Sequence, residues 1–199
     1  MAPVIVNLDH VREFKDADSF HRWLGEHHAS APEVWIKIHK VGSGLPTITA
    51  KEAIEVCLCW GWIDGIRKGF DERSFLQRYT PRRPKSVWSR INVDNVQRLI
   101  EEGRMTEHGL RQVEAAKADG RWERAYTGQK DAELPADLAA AIEAESAAAA
   151  TLEKLTAQNR FALVYRVNSL KTEAARKRKI EALVEMLKRG EAFYPQRGL

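Results

Sequence analysis

Every stretch of this chain that alternates apolar with polar residues lies before Pro81, and beyond Pro84 the apolar spacing turns to threes and fours. A period of two belongs to a strand with one buried face, and a period near 3.6 to a helix. The change of period divides the chain into a mixed front and a helical rear. In the front, Val34, Ile36 and Ile38 alternate with Glu33, Trp35, Lys37 and His39, which predicts a strand over 33–40. Trp62–Lys68 and Ser74–Thr80 predict a hairpin turned at Gly69 and Asp71. Pro81 and Pro84 stop it, because neither donates to a ladder. Asp18 is placed to cap a helix over 19–28 that carries Phe20, Trp23, Leu24 and His27 on one face. Thr49 and Glu52 have capping-box spacing and open a second helix, with Ala53, Ile54, Cys57 and Leu58 apolar and Gly61 as its stop.

Behind Pro84, Asn92 or Asp94 starts a helix that Gly103 ends, and Thr106 opens another to about Asp119. Trp122–Tyr126 is expected to add a helical turn, and 128–133 to be a polar linker. Pro135 suits a first helical turn. The alanine-rich run 139–150 is expected to be packed helix, and Thr156 and Thr172 cap two more helices, the last closed by Gly190. The expected class is α+β. A small antiparallel sheet with covering helices fills a domain over 1–127, and an all-helical domain spans 134–199.

The net charge of +4 is unevenly placed. Residues 1–64 carry an acidic excess, while 65–90 hold Arg67, Lys68, Arg73, Arg78, Arg82, Arg83, Lys85 and Arg90 against only Asp71 and Glu72. Most of these cations are arginine, whose planar fork suits phosphate or carboxylate. Trp60, Trp62, Phe70, Tyr79 and Trp88 are interleaved with them. Aromatic faces stack a base or sugar while arginines hold phosphate. The opposing expectation is a hairpin with its apolar residues inward and its arginines solvated.

The run Cys59–Gly65, then Gln77–Ser86, Trp88–Asn92, Gly103–Met105 and Thr172–Arg178, resembles the YdeI/OmpD-associated family, OmdA-like proteins labelled bacteriocin-protection. The resemblance extends from about Phe20 to Gly190. It implies a bacterial protein of envelope stress or antimicrobial-peptide tolerance, acting through a protein partner, sometimes in the periplasm. It implies no catalytic residue. Against a periplasmic place, Met1–Phe14 has no basic segment followed by an apolar run, so no signal peptide and a cytoplasmic location are expected. No stretch approaches the roughly 18 apolar residues of a membrane span, so no membrane insertion is expected.

The candidate ligand-binding residues are Trp62, Asp64, Arg67, Arg78, Tyr79, Arg82, Arg83, Lys85, Ser86, Trp88 and Arg90. Asp64, among arginines, is expected to be held ionised, because opposite charge lowers a carboxyl pKa. That leaves it orienting an arginine or accepting backbone N–H bonds in a turn. Ser86, Ser89 and Asn92 are placed to cap a helix whose N–H groups would add to an anion site. His10, His21, His27, His28, His39 and His108 show no i, i+4 pair, and Cys57 and Cys59 point to different sides of a helix. No metal site and no cofactor is expected. Arg176–Lys179 wraps a whole helix circumference, so one stem lies near the apolar face and the others are solvated. Three function classes stay open. They are a binding module for an anionic ligand (nucleotide, nucleic acid or acidic metabolite), an enzyme acting on a phosphorylated or acidic small molecule at the same site, and a factor acting through a protein partner.

Overall fold

A computed structural model describes residues 4–126, 128, 133–170 and 172–199. Its packing falls into two units, one of 1–88 with 92–125 and one of 89–91 with 126–199. Most of the expected linker 128–133 lies outside the described residues.

The front unit holds a four-stranded mixed sheet in the order β1-β2-β4-β3, formed by β1 (Val11–Arg12), β2 (Val34–His39), β3 (Trp62–Gly69) and β4 (Ser74–Pro81). The β3–β4 hairpin and the antiparallel β2–β4 pairing follow the alternation of the sequence. β1 is new: two residues lie parallel to β2, with Val11 opposite Trp35. Trp35, expected on the solvent face of β2, is fully buried. The cause is on that face, where the Glu33 carboxylate collects the Trp35 Nε1–H (3.2 Å), the His10 ring (3.1 Å) and the Arg78 Nε–H (2.5 Å). An indole at the sheet surface is thereby roofed by ion-paired groups, with its one donor satisfied.

The other face of the sheet carries the core. Val34, Ile36, Ile38, Trp62 and Tyr79 meet Phe20 and Leu24 of α1 (Ala17–His27) and Val56 and Cys57 of α2 (Ala50–Cys59). α1 is capped by Asp16, not Asp18: the Asp16 carboxylate accepts the Ser19 N–H at 2.8 Å and the Ser19 hydroxyl answers it. A capping box needs its partner three residues on, and Ser19 stands there for Asp16. α2 lies between two apolar layers. Cys57 faces the sheet, whereas Leu58 and Cys59 join Val93, Val96 and Leu99 of α3 (Arg90–Glu101) and Val113 and Ala116 of α4 (Glu107–Ala118). Trp88 and Trp122 close this second layer with ring centroids 5.0 Å apart. Residues 121–124 form a turn, not the expected helix. Both thiols are free, and burial raises both above the usual thiol range, Cys59 to about 11.

The rear unit contains α5 (Ala136–Glu143), α6 (Ser146–Lys154), α7 (Ala157–Asn168) and α8 (Glu173–Lys188). Thr156 and Thr172 cap α7 and α8 through their hydroxyls, as their positions predict. The alanine run is broken between α5 and α6, and Leu138, Ile142 and Ala148 bury against Leu163, Val167, Leu183 and Leu187. Arg176 of the basic tetrad makes a two-pronged bond to Asp137, at 2.5 and 2.8 Å, while Lys177 and Arg178 are exposed.

Candidate functional site

The basic segment does not form one surface. Arg78 is paired with Glu33. The Arg67 guanidinium lies 4.3 Å from the Phe75 ring centre, and its Nε donates to Gln77 Oε1 at 3.0 Å. Lys68 donates to the Val4 carbonyl, and Arg73 to the Ser43 carbonyl. Arg82 is buried, 3.6 Å over the Trp88 ring, with Nη1 donating to the Val87 carbonyl. Arg83 and Lys85 are exposed; the Arg83 N–H donates to Ser86 Oγ, so Ser86 closes a turn. Arg90 is exposed and counts with the second unit, where its N–H donates to the Tyr126 carbonyl. Tyr79 and Trp88 are core residues and offer no face to stack a ligand.

For Asp64 the direction of the shift, not its ionisation at neutral pH, departs from the expectation. Burial is the largest influence on its carboxyl and raises it above the ordinary value, against the pull of Arg82 and Arg67. It stands opposite Tyr79 on the helix-covered face of the hairpin, and the Tyr79 hydroxyl beside it is buried without a hydrogen-bond partner.

Two members of the predicted set, Trp62 and Arg82, do meet at a cleft of about 300 Å³. They meet there with His28, Trp60, Gly61, His108, Arg111 and Gln112. The cleft forms where element ends converge: His28 caps the C-terminus of α1, Trp60 that of α2, Trp62 opens β3, and His108 and Arg111 sit in the first turns of α4. Thr106 fixes the convergence. Its hydroxyl caps α4 and also donates to the Cys59 carbonyl at 2.6 Å, satisfying an orphan acceptor of α2. Two glycines permit the approach. A Cβ on Gly109 would sit 2.7 Å from the Leu58 carbonyl oxygen and closer still to that of Cys59. Gly61 has φ +72°, and a Cβ there would stand 2.9 Å from the His108 carbonyl oxygen.

The cleft wall is a stack of rings. Trp60 and His108 lie near-parallel with centroids 5.5 Å apart, and His28 is 4.0 Å from His108. The partners fix the tautomers. The Leu24 carbonyl only accepts, so His28 carries a proton on Nδ1. Arg111 only donates, so His108 Nδ1 is unprotonated. Trp60 Nε1 donates to His21 Nδ1 at 3.1 Å. Desolvation, His28 and Arg111 together lower the His108 imidazole below its usual range. The spacing of these histidines in the chain signals no site, and only the fold joins α1 to α4. Among the described residues, no group of three or more His, Cys, Asp or Glu is arranged to hold a metal ion. No helix among them is long and apolar enough to cross a membrane.

A family model described as a domain of unknown function (DUF8412) matches residues 12–112, just over half the chain. One described as "Bacteriocin-protection, YdeI or OmpD-Associated" matches residues 131–190. The resemblance drawn from the sequence is thus found over the rear, while the motifs between Cys59 and Met105 fall within the first match. No curated protein and no solved structure matches the chain.

Proposed function

Because the chain belongs to the DUF8412 family and carries a YdeI/OmpD-associated domain behind that match, we propose a ligand-binding role centred on the front unit. The ligand is a small anion, held in the cleft of His28, Trp60, His108 and Arg111. The observation that carries this reading is the pairing of Arg111 with an imidazole that accepts its hydrogen bond. The neutral His108 ring brings no charge to Arg111, so among the described residues only the exposed Glu107 carboxylate offsets the guanidinium. Trp60 and Trp62 thin the water on two sides, which strengthens an arginine–anion contact. The exposed Glu107 carboxylate, 3.6 Å from Arg111, is what an incoming anion displaces.

A cleft of about 300 Å³ lies at the small end of ligand sites. One phosphate- or carboxylate-bearing metabolite fits this size better than an oligonucleotide. The dispersal of Arg67, Arg78 and Arg82 onto partners of their own favours the same choice.

The test is a proton NMR titration of the histidine ring resonances with inorganic phosphate and with small mono- and dicarboxylates at low salt. A bound anion favours the imidazolium, so the His108 pKa rises on binding. Arg111→Ala abolishes the rise, and added salt weakens it. If His108 and His28 titrate unchanged with every anion, the cleft is not an anion site.

A further inference from the structure

A second cavity, of about 270 Å³, lies on α7 in the rear unit. Gln158, Phe161, Ala162, Tyr165 and Arg166 line it from one stripe of the helix, and Tyr126 and Tyr194 complete it. The opposite stripe, Asn159, Leu163 and Val167, is buried in the unit's core. The cavity stripe sets the aromatic rings of Phe161 and Tyr165 between Gln158 and Arg166.

The rings form walls. Tyr126 stands 5.5 Å from Tyr165 at 88°, and Phe161 lies 5.9 Å from each of them. Tyr194 is anchored by a two-way link to a buried amide: its N–H donates to Asn159 Oδ1 at 2.9 Å, and its carbonyl accepts from Asn159 Nδ2 at 3.1 Å. Arg166 is also set in place. Its guanidinium lies 3.7 Å over the Phe193 ring, and Nη1 donates to the Ala162 carbonyl at 3.0 Å. It is the one charged residue of the lining.

We propose that this cavity binds a planar aromatic or heteroaromatic ring bearing an anionic group. The ring packs among Phe161, Tyr165 and Tyr194, and the anion pairs with Arg166. Aromatic walls alone would equally suit a quaternary ammonium ion. The fixed guanidinium decides against a cation and for an anion, and its spare N–H groups suit a phosphate or carboxylate fork. This site is separate from the front cleft and does not rest on it.

Isothermal titration calorimetry on the full chain tests it with AMP, adenosine, 4-hydroxybenzoate and tetramethylammonium. AMP or 4-hydroxybenzoate binds, AMP more tightly than adenosine; which of the two binds separates a nucleotide from an aromatic acid. Tyr194→Ala and Arg166→Gln each weaken binding about tenfold or more, as loss of a stacking face or a charged contact does. Tyr194 is 41% exposed, so its truncation leaves the helices folded, which far-UV circular dichroism checks. Arg111→Ala in the front cleft changes nothing here. Two results overturn the proposal: no heat from either anionic ligand at millimolar concentration, or tetramethylammonium binding in their place.

Discussion

The front cleft and the α7 cavity are built from the same materials, aromatic walls and an arginine, yet they differ in what can change their charge. The front cleft holds His28 and His108 in ring contact, and all six histidines of the chain lie in the front unit. The α7 cavity has only Arg166, and the rear unit has no histidine. One site responds to pH near neutrality and the other keeps a fixed charge. They also differ in assembly. Backbone of α2 and α4 meeting at a glycine makes the first, and side chains bolted to one helix make the second. The six tryptophans are all in the front unit, so tryptophan emission follows that unit alone.

The most damaging change to either site is Gly109→Val. The new side chain has no room against the Leu58 and Cys59 carbonyls, which are backbone and cannot swing away. A loss of about 3 kcal/mol or more is expected for the front unit, at the upper end of overpacking costs. It reads as an earlier urea transition in tryptophan emission, with hydrogen exchange of α7 and α8 unchanged. If α7 and α8 lose protection too, the two units are not independent and the comparison fails.

Next in size is Asn159→Ala in the rear unit. It removes both links to Tyr194 and a third bond to Gln196 Oε1 at 2.7 Å, leaving the Tyr194 N–H and carbonyl without this partner. About 2 kcal/mol is lost. Amides from Tyr194 onward exchange faster, and the α7 cavity loses a wall while the front cleft keeps its affinity. Unchanged exchange of those amides would show that Tyr194 is held by something else.

This contrast follows what the sequence could and could not say. Thr49, Thr106, Thr156 and Thr172 were legible as caps because capping is settled within three residues. The hairpin was legible because its alternation and its prolines are local. The two-residue β1 carries no periodic signal, and Trp35 is buried by Glu33, His10 and Arg78, which come from separate segments. The density of arginine and tryptophan singles out Arg82 and Trp62 along with nine other residues, and of these the two line the cleft. It could not show that Arg78 and Arg67 are already engaged, because Glu33 and Phe75 are joined to them only by pairing of strands. His28 and His108 meet only when Thr106 and Gly109 bring α4 onto α2, and nothing in the spacing of either histidine signals that.

The pH contrast is smaller and has a definite sign. His108 titrates below its ordinary value in the fold, chiefly through desolvation, so the unfolded chain takes the proton more readily. Its contribution to stability is intact above the unfolded histidine value of about 6.5 and is lost as pH falls through that value toward the lowered one. Tryptophan emission should show the front unit losing stability from about pH 6.5 downward, less so in His108→Gln. The rear unit holds until the carboxylate range, where Asp137, kept low mainly by Arg176, begins to be protonated. A rear unit that weakens alongside the front near pH 6.5 would remove the distinction.

The smallest effect concerns a group that lies in neither cavity. Asp64 has its carboxyl raised by burial, so its ionised form is disfavoured in the fold relative to the unfolded chain. The stability linked to it is present below the unfolded carboxyl value and is lost as pH rises through the raised folded one. At pH 7 the carboxylate is therefore a net cost. Asp64→Asn keeps the shape and removes the charge, so it raises the front unit's melting temperature slightly at pH 7 and leaves phosphate titration of His108 unchanged. A lower melting temperature would mean that Arg82 and Arg67 together outweigh the desolvation of Asp64. A changed His108 titration would tie Asp64 to the cleft and make its charge part of how an anion is held there.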